Sequence, residues 1–126
     1  MSSPIDSSER LLRNIHPDDF DNGKINSSVF NPSESHDFKL SVDRNGMTTP
    51  SDTYNRHLGA GLESIGVCGV HARDFLLESI ACAPDPIIGN PAHAFADFSA
   101  HGLSQRRKKA RRLATTALNY GFDYSP

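Results

Sequence analysis

Hydrophobic and polar positions alternate most cleanly in two stretches. In residues 38–43, Phe38, Leu40 and Val42 fall on one side, and Lys39, Ser41 and Asp43 on the other. In residues 92–98, Ala92, Ala94, Ala96 and Phe98 share one face, and His93, Phe95 and Asp97 share the opposite one. A period of two is the signature of a half-buried strand. Residues 11–15, with Arg13 in their middle, read as a first strand that His16-Pro17 ends, and residues 27–30 read as a short second strand or an extended segment. Residues 65–70 read as a strand carrying two glycines, which permit close approach of another chain segment or mark a bulge. A short helical turn at 72–76 and an extended stretch at 79–83 follow.

Two segments carry helix signals. Thr49-Pro50-Ser51-Asp52 offers a capping hydroxyl, a proline suited to the first helical position and a carboxylate in the first turn. Toward the C-terminus, Ser104 is placed to cap a helix over about 105–119, which Gly121 stops. Ala110, Leu113, Ala114, Ala117 and Leu118 give that helix an apolar stripe. The pattern predicts one α+β domain over residues 10–126, preceded by a flexible, Ser-rich stretch at 1–9. Its architecture is a small, mostly antiparallel sheet of four to five strands with two helices on one face. The C-terminal helix is expected to cover the alanine face of the 92–98 strand.

Composition narrows the classes. The chain has 126 residues, the size of one ordinary domain, and 37% hydrophobic residues, so the core is modest. No apolar run approaches membrane-spanning length, and no charged-then-apolar leader opens the sequence, which points to a cytoplasmic protein without a membrane partner. Cys68 and Cys82 lack zinc-ligand spacing and read as reduced, buried thiols. No metal site and no cofactor are expected. The net charge of −2 hides an asymmetry: Arg106, Arg107, Lys108, Lys109, Arg111 and Arg112 are six of thirteen basic residues, all on the last helix.

Chemistry-bearing residues fall into two groups. Arg13, Ser27, Ser28, Ser41, Asp43 and His93 lie on or beside neighbouring extended segments. An arginine, hydroxyls, a carboxylate and an imidazole together suit an anionic or polar ligand, or a partner protein. His93 is also the candidate acid/base of an alternative, enzymatic reading on a nucleotide or phosphate-containing substrate. Ser27 or Ser28, His93 and Asp43 or Asp97 supply the residue types of a Ser–His–Asp hydrolase, but no Gly-x-Ser-x-Gly elbow accompanies them, and a triad is defined by geometry rather than by residue types. The second group is the basic helix, whose six cations offer phosphate contacts to nucleic acid or a seat on the acidic remainder of the chain.

Taken together, Arg13-Asn14-Ile15-His16-Pro17, Ser27-Ser28-Val29-Phe30, Leu40-Ser41-Val42-Asp43 and Asn90-Pro91-Ala92-His93-Ala94 resemble the R-x-I-x-P, S-S-x-x-F, L-S-V-D and N-P-A-H-A elements of a family of small bacterial proteins with no established activity, the second with one residue fewer between Ser28 and Phe30. The resemblance spans roughly Leu11 to Asp97. It implies that these polar elements belong together and assigns no catalytic role. The leading expectation is a small binding module rather than an enzyme.

Overall fold

The computed structural model describes residues 3–126. Its frame is a five-stranded antiparallel sheet built from β1 (Arg10–Asn14), β4 (Lys39–Arg44), β5 (Val67–His71), β6 (Ala81–Pro84) and β7 (His93–Asp97), in the order β5-β1-β4-β7-β6. A two-stranded hairpin, β2 (Phe20–Asp21) and β3 (Lys24–Ile25), turns at Asn22-Gly23. Three α-helices complete the α+β fold: α1 (Pro50–Gly59), α2 (Ala72–Leu77) and α3 (Leu103–Tyr120).

The register places Val42 opposite Ala94 and Leu40 opposite Ala96, so the apolar faces of β4 and β7 coincide. Leu11 and Val70 continue that face across β1 and β5. These residues join one buried cluster with Phe30, Phe75, Phe98 and the stripe Ala110, Leu113, Ala114 and Ala117 of α3. The reverse face carries Ser41, Asp43, His93 and Phe95, and α1 packs over its β1 corner, where Thr53 donates to Asp43 at 2.9 Å.

Several local expectations change. Residues Ser27–Phe30 form a 3-10 helix, not a strand: Asn26 accepts the Ser28 N–H at 3.1 Å and starts the turn. This conformation buries adjacent Val29 and Phe30 together, which a strand with one wet face cannot do. Helix α3 begins two residues before the anticipated Gln105, with Gly102 rather than Ser104 at its N-cap. It does not lie along the alanines of β7. It rests against β5 and the 27–30 turn, because the chain after Gly121 pairs with Val67 through Tyr124 and pins the helix end over that edge. Thr49 caps α1 as its sequence implies, accepting the Asp52 N–H at 3.1 Å.

Arg44, which reads as a turn residue, is instead buried beneath the N-terminal segment. Its guanidinium meets Glu9 in a two-pronged pair at 2.8 and 3.0 Å, and donates to the Ser3 and Pro4 carbonyls at 2.7 and 3.1 Å. Met1 and Ser2 of the stretch expected to be flexible lie outside the described residues. Residues 3–9 run over the end of β4, and Ser7 and Glu9 accept the Arg73 and Ala72 N–H groups.

Candidate functional site

Two adjoining depressions open on the polar face of the sheet. The larger, of about 510 Å³, lies between β1, β4, α1 and the loop after α1. The smaller, of about 390 Å³, lies over β4 and β7. Ser41 lines both.

Arg13 enters the larger cavity where β1 and β4 diverge. These strands pair only through Leu11↔Arg44 and Leu12↔Asp43, and the guanidinium fills the gap beyond. It donates to the Val29 carbonyl at 2.8 Å and the Ser41 carbonyl at 3.0 Å. Among the described residues it forms no ion pair. Desolvation foremost pulls its pKa down while the more distant carboxylates of Asp19 and Asp43 act against it, and a guanidinium stays charged, so the cavity wall carries a cation with no directly bonded carboxylate.

Asp43 is the hub of the opposite wall. One carboxylate oxygen accepts from Thr53 at 2.9 Å and Arg56 at 3.0 Å, and the other accepts from Asn90 at 2.8 Å. Its charge is thereby neutralised by Arg56, which also reaches Thr48. Asn14 donates to the Thr53 carbonyl, which fixes its amide orientation and leaves its buried Oδ1 without a partner among the described residues.

Two imidazoles share this cavity. His57 places Nε2 3.2 Å from the Glu63 carbonyl, an acceptor only, so Nε2 carries the proton. His16 accepts the Asp18 N–H through Nδ1 at 3.1 Å, so its proton sits on Nε2. Desolvation foremost, and then Arg13 and the neighbouring His16, hold the His57 pKa below its ordinary value; the Glu63 carbonyl and Asp43 act against them. Asp19 and Glu63 also line the space; Asp19 is engaged by the Ser28 hydroxyl, and Glu63 is exposed at the rim.

The residues singled out in the sequence therefore separate. Arg13, Ser41 and Asp43 line the larger cavity. Ser27 and Ser28 do not; they sit on the 3-10 turn, where Ser28 braces Asp19. His93 faces the smaller depression although its β-partner is Asp43. Its Nδ1 lies 2.8 Å from the Asp85 carbonyl and 3.3 Å from the Asp85 carboxylate, so Nδ1 holds the proton and Nε2 is left as a base. Asp97 is turned to Ser99, whose hydrogen bonds keep its carboxyl below the usual range.

Asn14, Thr53, Arg56, His57 and Asn90 were not singled out as site residues. Thr53, Arg56 and His57 fall three and four positions apart on α1, a helical face that reads as solvated until it is known to cover a sheet. Both thiols are pushed up to about 12 by burial and are inert as nucleophiles near neutral pH. Among the described residues, no group of three or more His, Cys, Asp or Glu could hold a metal ion, and no helix is long and apolar enough to cross a membrane.

The basic helix divides as well. Arg106 stacks on Phe38 at 3.9 Å, Lys109 donates to the Glu78 carbonyl at 2.6 Å, and Arg112 grips the Glu78 carboxylate at 2.6–3.0 Å. Those three seat α3 on the body. Arg107, Lys108 and Arg111 point to solvent and have no hydrogen-bonded or ionic partner among the described residues. No protein-family model, no curated protein and no solved structure significantly matches this chain.

Proposed function

We propose that this chain is a small binding module that holds an anionic ligand in the cavity between β1, β4 and α1. The observation that carries the reading is Arg13: a desolvated guanidinium on a cavity wall, bonded to neutral carbonyls and to no carboxylate. Such a cation gains most from an anion that enters beside it. His16 adds its Nε2–H as a donor to the same space, and Asn14 Oδ1 offers an acceptor to a ligand hydroxyl or amine. Asp43 serves as the internal brace that aligns Thr53, Arg56 and Asn90. The anion is a free small molecule or the acidic side chain of a protein partner.

A thermal-shift panel tests this. Phosphate, pyrophosphate, citrate and nucleotides should raise the melting temperature, and neutral sugars and diamines should not. A ligand at one hundred times its dissociation constant stabilises by about 2.7 kcal/mol. Arg13→Gln should abolish the response. Absence of any shift with every anion contradicts the proposal.

A second reading rests on the His93–Asp85 contact. An imidazole oriented through Nδ1 with Nε2 free is the arrangement of a general base. It supports an enzyme acting on a phosphate-containing substrate that reaches from the Arg13 cavity to His93. Loss of turnover in His93→Gln, with unchanged anion affinity, separates this reading from simple binding.

A further inference from the structure

From the layout of the two depressions we infer that they form one elongated site for a nucleoside monophosphate, with the phosphate beside Arg13, the ribose over Ser41 and the base on Phe95. This inference rests on the anion-binding reading and adds the identity of the ligand's other end. Ser41 is the hinge of the argument, since it lines both depressions. On one side of β4, Arg13 Nη1 lies 3.0 Å from the Ser41 carbonyl. On the other side, Phe95 is the cross-strand partner of Ser41, which puts their side chains on one face. Phe95 lies one paired strand, about 4.8 Å, beyond Ser41, and Arg13 Nη1 reaches to 3.0 Å from the Ser41 carbonyl on the other side, so roughly 8 Å separates guanidinium and Phe95 across β4. One ribose connects a phosphate to a base over that kind of distance.

The second depression has the features of a base-binding shelf. Phe95 is half-buried, and the exposed Lys39 side chain lies over its ring with the ammonium 5.0 Å from the centroid, a flexible cover that an incoming base displaces. His93 Nε2 and the Asp85 carboxylate supply an acceptor pair at the shelf edge, suited to the exocyclic amine of a base. The lip is formed by Asp37, where two consecutive non-glycine residues adopt left-handed backbone, with φ of 54° at Asp37 and 57° at Phe38. Consecutive residues of this kind carry backbone strain, which concentrates where a loop must be held against a site.

Titration calorimetry with AMP, ribose 5-phosphate and adenosine tests the inference on the full chain. AMP should bind at least about tenfold more tightly than ribose 5-phosphate, in line with the strength of base–aromatic stacking. In Phe95→Leu, which keeps an apolar side chain but removes the ring, that ratio should fall toward one while ribose 5-phosphate affinity stays unchanged. Equal affinity for AMP and ribose 5-phosphate in the wild-type protein would overturn the inference and leave the anion site standing. Failure of both phosphates to bind overturns the inference and the anion reading together.

Discussion

Replacing Arg44 with alanine should destabilise the protein more than any surface substitution. The Arg44 side chain is 3% exposed and that of its partner Glu9 11% exposed. It holds Glu9 through two prongs and the Ser3 and Pro4 carbonyls through two further bonds. Truncation leaves a desolvated carboxylate and two carbonyls without donors. Breaking a buried pair from one side costs about 3–5 kcal/mol. With a urea slope of about 2 kcal/mol/M for a domain of this size, the unfolding midpoint should fall by roughly 2 M. Arg44→Met combined with Glu9→Gln removes both charges and should recover much of the loss, because the penalty belongs to the orphaned charge. A midpoint change below about 0.5 M for Arg44→Ala would refute the reasoning, since it would mean that water already solvates Glu9.

Other outcomes follow from the same packing. Gly69→Ala should cost about 1–3 kcal/mol in chemical denaturation, because a Cβ there would sit 2.7 Å from the Leu11 carbonyl and 3.2 Å from Asp123 and Leu12. His57 has a depressed pKa in the fold, so the unfolded chain takes up its proton first; stability should fall as pH drops below about 6.5, and His57→Gln should flatten that slope in pH-dependent melts. Glu78 has linkage of the same sign at lower pH: hydrogen bonds from Arg112 foremost hold its pKa down, so its contribution is full above the ordinary glutamate range and is lost as pH falls below it. Glu78→Gln should therefore weaken α3 docking at neutral pH, seen as faster amide exchange in residues 103–112, and make little difference at pH 3.

The sheet was legible where its period was local. The alternation of 38–43 and 92–98 carried its own register, and Val42 and Ala94 meet across it. The α1 start was equally local, since Thr49, Pro50 and Asp52 act within one turn. What escaped was long-range. Val29 and Phe30 are adjacent, and only the arrival of α3 above them explains why both are buried. Arg44 looks like a turn residue until the N-terminal segment closes over it. The candidate site divides the same way. Arg13 stood out as a charge in an apolar strand. Asn14, Thr53 and His57 gain meaning only when α1 folds back over β1, and Asn90 only when the loop before β7 meets Asp43, contacts that no spacing along the chain encodes.

The anion site at Arg13 is tested most directly by the ring nitrogens of His57, which lies beside it. Long-range ¹⁵N NMR titrations would follow the His57 imidazole with and without saturating pyrophosphate, in wild-type protein and in Arg13→Gln. The account predicts that pyrophosphate raises the His57 pKa in the wild type, because the anion offsets the positive field of Arg13 and accepts from the protonated ring. It predicts no pyrophosphate effect in Arg13→Gln, where the anchor is gone, and a His57 pKa already higher there than in the unliganded wild type. A His57 titration curve that pyrophosphate leaves unmoved in the wild-type protein would contradict the account.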